Sequence, residues 1–142
     1  MRAREHPNHT AEVPMVFPPW LERLQIRYFN PLIGPAARHL PGFAVIKHHG
    51  RKSGTPYETV VSAYRKGDVV AVMLAHGKTN WVKNVLAAGE ADMNLARRDV
   101  HLVNPRIVPA GGDAAGLPRV ARMGARRVGV FVADIDPGPS AR

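Results

Sequence analysis

Three β-rich stretches, "FAVIKHH" (43–49), "YETVVSAYR" (57–65) and "VVAVMLAH" (69–76), are separated by only seven and three residues, "GRKSGTP" and "KGD". A parallel crossover needs a dozen residues or more, so these strands must return antiparallel. That excludes a doubly wound nucleotide-binding layout and points to a small antiparallel barrel or strongly curved sheet with helices at its mouth. In 57–65, Thr59, Val61 and Ala63 share one face, and Val60, Ser62 and Tyr64 the other. The third stretch is almost wholly apolar and reads as a central strand buried on both sides.

Past this core, "NWVKNVLAAG" reads as a helix with Thr79 or Asn80 at its start and Gly89 at its end. "DMNLARRD" and "VHLVNPRIVP" read as a hairpin turning near Arg98 and Asp99. "GGDAAGLPRVARMGARR" is helical in its second half, and "VGVFVADI" (128–135) is a last strand. Ahead of the core, "PPWLERLQIRYFNP" carries Trp20, Leu24 and Tyr28 at four-residue spacing, with Arg23 and Arg27 on another face. We read an amphipathic helix over 19–29. The expected organisation is a flexible arm (1–17), one domain (18–136) and a tail (137–142). The fold class is α+β, mainly antiparallel β, with an amphipathic N-terminal helix.

Charge narrows the function. Twenty Lys and Arg against 11 Asp and Glu give +9, a field that attracts nucleic acid, anionic lipid or a small polyanion without choosing among them. The absence of cysteine removes thiolate nucleophiles and cysteine-ligated metal clusters. No apolar stretch approaches the ~20 residues of a membrane span, and the first residues contain no apolar core of a secretory signal. The expected location is therefore cytoplasmic, with a weak peripheral membrane contact through 19–29 as a further expectation. His48 and His49, adjacent on a strand, point to opposite faces and make no metal pair.

In "GRKSGTP" two glycines bracket Arg51, Lys52 and Ser53. Glycine leaves backbone N–H groups unshielded, while a guanidinium fork, an ammonium and a hydroxyl suit phosphate or carboxylate oxygens. No Walker spacing is present. A solvated basic turn accounts for the same residues.

Taken in order, "GRKSGTP", a strand, "KGD", an apolar strand and "NWVKNVLAAGE" resemble the deazaflavin-dependent nitroreductase family: actinobacterial split-barrel oxidoreductases that use coenzyme F420, an 8-hydroxy-5-deazaflavin. The resemblance covers about residues 42–108, with a weaker echo at 19–29, and implies that the barrel is a split β-barrel, FMN-binding-like. It implies that Arg51, Lys52 and Ser53 hold the cofactor's phosphate and oligoglutamate tail. It implies further that Tyr57, Glu58, Thr59, Val60, Val61 and Ser62 line the cofactor. Met73, Leu74, Ala75 and His76 would border its ring, and Asn80, Trp81, Val82, Lys83 and Asn84 form the helix start beside it. The family often has arginine at Tyr57 and proline at Val60; Lys78, Lys83 and Arg65 are candidates to restore the missing charge.

The implied activity is hydride transfer from reduced F420 to an activated C=C or a nitro group of a small apolar substrate. Trp20, Leu24 and Tyr28 are the substrate-facing candidates, and Tyr28, Tyr57, His48, His49 and His76 the candidate proton donors. The catalytic residue itself is not named, and no metal is implied. The residues alone do not separate FMN from F420, since both carry a phosphate; FMN is the less favoured cofactor because it lacks F420's longer acidic tail. A non-catalytic flavin-, haem- or deazaflavin-storage module on the same barrel remains open. A nucleic-acid-binding barrel is disfavoured by the scarcity of base-stacking aromatics, with no specific nucleic acid expected as a partner. Oligomeric state stays open.

Overall fold

The computed structural model describes residues 10, 13–14, 43–74 and 77–136. The helix expected over 19–29, with Trp20, Leu24 and Tyr28, lies outside the described residues, as do Ala75, His76 and the tail at 137–142. Among the described residues, seven strands and two helices follow in chain order. They are β1 (Phe43–His49), β2 (Pro56–Ser62), β3 (Tyr64–Lys66), β4 (Val69–Leu74), α1 (Asn80–Ala88), β5 (Glu90–Leu95), β6 (Arg98–Val108), α2 (Arg119–Gly124) and β7 (Gly129–Asp136).

All pairings are antiparallel, and the strand order is β2-β1-β5-β6-β7-β4-β3. The two edge strands of that order, β2 and β3, are separated in the chain by one residue, Ala63. One residue spans at most about 3.6 Å. The sheet must therefore curl until its edges meet, with Pro56–Lys66 as a single bent strand paired to β1 in its first part and to β4 in its last. This is the split barrel, closed by one shared strand.

The barrel interior holds Ala44, Ile46, Val61, Val70, Val72, Leu74, Met93, Leu102, Phe131 and Ala133. Helix α1 inserts Trp81, Val82 and Val85 into the same cluster, with Trp81 edge-on to Phe131 at 5.0 Å and 71° between rings. On the outside, α2 and its flanks lay Leu117, Ala121 and Ala125 against Ala71, Val130 and Val132. β4 is thus buried on both faces, which is why it carries no polar alternation. Val13, expected in a loose N-terminal arm, is 2% exposed and belongs to the main core, so core packing starts before residue 17.

The β5–β6 turn is Ala96–Arg97, with Leu95 opposite Arg98, so Arg98 and Asp99 follow directly on the turn, as the sequence suggested. Both turn residues have positive φ, 50° and 67°, the primed-turn pattern that matches sheet twist. β6 runs through Pro105 because the pairing slips between Val103 and Arg106, and a bulge tolerates a missing N–H. Asp134 pins that bulge, accepting from Asn104 Nδ2 and Arg106 Nη1, each at 3.1 Å.

The registers also sort the connections by barrel end. The turns at 67–68 and 96–97 close one rim. Residues 50–55, the β4–α1–β5 connection and 109–128 all emerge at the other. Among the described residues of those three connections stand Arg51, Lys52, Lys78, Lys83, Arg119, Arg122, Arg126 and Arg127 against one acid, Asp113. Among the described residues no helix is long and apolar enough to cross a membrane.

Candidate active site

The turn at 50–55 is held by two backbone bonds, Gly50 N–H to Thr55 C=O and Gly54 N–H to Gly50 C=O, both 2.9 Å. Its two glycines serve different needs. Gly54 has φ +73°, the left-handed region where a Cβ is strained. Gly50 is needed for space: a Cβ there would sit 2.4 Å from Ser53 Oγ. That hydroxyl accepts the Thr55 N–H at 3.2 Å, which stiffens the tip.

Arg51, Lys52 and Ser53 are exposed. Arg51 nevertheless does not wave in solvent. Its Nη1 donates to Asn84 Oδ1 at 2.7 Å and to the Asn80 carbonyl at 3.4 Å, and its backbone N–H donates to Asn84 Oδ1 at 3.3 Å. The turn is thereby tied to the first turn of α1, a helix start with no acidic residue and no side-chain cap. Arg51 Nε and Nη2 make no bond to the described residues. A fork, a neighbouring ammonium and a helix N-terminus, beside connections whose described residues carry one carboxylate, form a donor set fitted to an anion. Thr79 stands at the N-cap position, but its Oγ1 is buried with no partner instead of capping.

Below this lid the barrel mouth is polar. His48, 7% exposed, and Asn84, 5% exposed, are buried. Asn84 Nδ2 donates to His48 Nδ1 at 3.0 Å, and His48 Nε2 bonds Thr59 Oγ1 at 2.9 Å. Tyr57 stacks on the His48 ring at 5.7 Å between centroids and is itself exposed. Burial, and then repulsion from His49, hold the His48 imidazole below the usual histidine range.

The residues singled out from sequence divide sharply. Strand alternation sends Tyr57, Thr59 and Val61 to the inner face, and Glu58, Val60 and Ser62 to the outer one. Val60 packs on Val45 outside the barrel. Leu74, Trp81 and Val82 are core residues, and Met73 lies against Gly124 of α2 on the outer face. Asn80, Lys83 and Asn84 stand at the helix start beside the turn. Arg65, considered as a replacement cation, lies at the opposite rim, donating to the Gly67 carbonyl and paired with Asp68. On sequence alone His48 stood only as a candidate proton donor; its link to Asn84, 36 residues away, has no local signature.

Residues 20–122 match the F420H(2)-dependent quinone reductase family. The chain belongs to that family. It is an F420-dependent reductase acting on a small molecule, in agreement with the cofactor that the motif order implied. No curated protein matches the sequence. Among solved structures, the reductase is similar to an F420 reductase (16% identity, 71% of this chain and 91% of that one, TM-score 0.46). It is also similar to an F420-H2 dependent reductase (14%, 66% and 95%, 0.47). A third is HutZ, a haem storage protein from Vibrio cholerae (12%, 76% and 90%, 0.45). The family assignment rests on the sequence match, and the fold on the strand connectivity described above.

Proposed function

We propose that this reductase seats the acidic end of F420 on the 50–55 turn and reduces an electron-poor group of a small apolar substrate: an activated C=C, a nitro group or a quinone. The observation that carries the reading is the Arg51 clamp. A guanidinium already ordered against α1, with donors to spare, loses less conformational entropy on gripping an anion than a free surface arginine would. When bound, F420 supplies the hydride, so the protein needs neither a nucleophile nor a metal.

The chain's own residues bind and orient. Arg51 offers its remaining fork, Lys52 a point charge and Ser53 a hydroxyl to phosphate or carboxylate oxygens. Lys83 and Asn80, on the first turn of α1, border the same place. The Tyr57 ring, stacked on His48, presents an exposed face at the mouth, and its hydroxyl is the described candidate to deliver a proton there. Trp81 and Val82 contribute indirectly, anchoring α1 in the core so that Asn80 and Asn84 cannot drift.

Fluorescence titration of the full chain with F420 tests this. Binding at micromolar levels or tighter is expected, and Lys52→Ala weakens it by about 1–3 kcal/mol, the scale of a charge-assisted hydrogen bond. A titration in which the deazaflavin fluorescence does not change refutes it.

A further inference from the structure

The polar chain beneath the turn has only one consistent arrangement of protons. Arg51 can only donate, from Nη1 and from its backbone N–H, so Asn84 must present Oδ1 to it. The Asn84 Nδ2, which can only donate, then faces His48 Nδ1 at 3.0 Å. Nδ1 must therefore be an unprotonated acceptor, and the single imidazole proton sits on Nε2, donated to Thr59 Oγ1. A proton added at Nδ1 would set donor against donor. Asn84 would have to turn its amide over, taking the acceptor away from Arg51. The remaining charged or titratable groups about His48 are His49 beside it on β1, Arg51 in the turn and Tyr57 stacked from β2; no carboxylate among the described residues contacts it.

We infer that His48 is a positioning residue for cofactor binding: as the neutral Nε2–H imidazole it sets the Asn84 amide, and the amide aims the Arg51 fork. The inference rests on the cofactor-tail reading of the turn and adds to it a control element that touches no ligand. Burial opposes charging of the ring, which keeps the relay set at neutral pH. The clamp opens only in acid.

Nitrogen-resolved NMR of the cofactor-free full chain, labelled at histidine, reads the tautomer directly. The expected signal for His48 is a neutral ring protonated at Nε2, titrating below the ordinary histidine range. Asn84→Asp, whose carboxylate accepts from both sides, should move that titration above the ordinary histidine range. F420 titrations supply the second readout. Arg51→Ala and His48→Leu each lower affinity by about tenfold or more, and the double variant is no worse than Arg51→Ala alone. His48→Gln, which keeps an acceptor facing Asn84 but does not titrate, should bind well and lack the fall in affinity in acid that is expected of the natural chain.

A His48 ring carrying its proton on Nδ1 overturns the inference even where F420 binds, as does full additivity of the Arg51 and His48 losses. An Nε2–H ring in a chain that does not bind F420 overturns the cofactor reading, and this role of His48 with it.

Discussion

Replacing Gly50 with alanine places a methyl group 2.4 Å from Ser53 Oγ and 3.5 Å from Tyr57 Cε2. The second distance is ordinary contact; the first is not. Ser53 is exposed, so its hydroxyl can rotate away, giving up the bond from Thr55 N–H. For an exposed bond that loss is about 0.5–1 kcal/mol, the lower part of the usual range. Against it stands a gain of about 0.4–1 kcal/mol, because alanine restricts the unfolded chain more than glycine and this φ is not left-handed. Gly50→Ala alone should therefore leave stability within about 0.5 kcal/mol of the natural chain. In a Ser53→Ala background no hydroxyl remains to displace, and Ser53 Cβ is a comfortable 3.7 Å away. There the same change should stabilise by about 0.4–1 kcal/mol. Urea unfolding of the four proteins of this cycle, compared at equal m-value, measures the coupling. Equal effects of Gly50→Ala in both backgrounds would refute the reasoning, since the hydroxyl would then not be what Gly50 makes room for.

Other consequences are more briefly put. Gly54→Ala, with open space around it but φ +73°, should destabilise by about 1–2 kcal/mol whatever occupies position 53, measured in the same urea series. Ala96→Asn with Arg97→Gly, relieving two left-handed residues at once, should stabilise by about 1 kcal/mol and raise Tm by roughly 2–4 °C on calorimetry; no change would mean that the turn is not strained. His101 is held above the usual histidine range chiefly by its bond to Asp92 at 2.7 Å, with Glu90 adding to it. Its contribution is therefore full below the unfolded value of about 6.5 and is lost as pH rises through the higher folded value. Urea midpoints should fall across that window in the natural chain, and His101→Gln should flatten the fall. Phe131→Ala, at a site with no exposed surface and an edge contact to Trp81, should cost about 3–5 kcal/mol, and a loss below about 1 kcal/mol would contradict the packing described.

What neighbouring residues decide, the sequence already contained. Three- and seven-residue links forced antiparallel return, "VVAVML" announced a strand buried on both faces, and Gly89 ended α1 in the left-handed conformation expected of it. The basic turn was equally legible, because glycine spacing and donor chemistry are local properties. Only the tertiary structure decided which rim each connection joins, since that depends on strand order. It made 56–66 one bent strand that closes the barrel at Ala63, and it brought to one end three connections whose described residues hold eight cations and one acid. It also sent Trp81 into the core and Arg65 to the far rim, both of which the family resemblance left as candidates for the site. The Arg51–Asn84–His48–Thr59 chain spans residues up to 36 apart. Hydrogen-bond complementarity at such separations exists only once the barrel has closed, because no spacing rule along a chain states which donor will meet which acceptor.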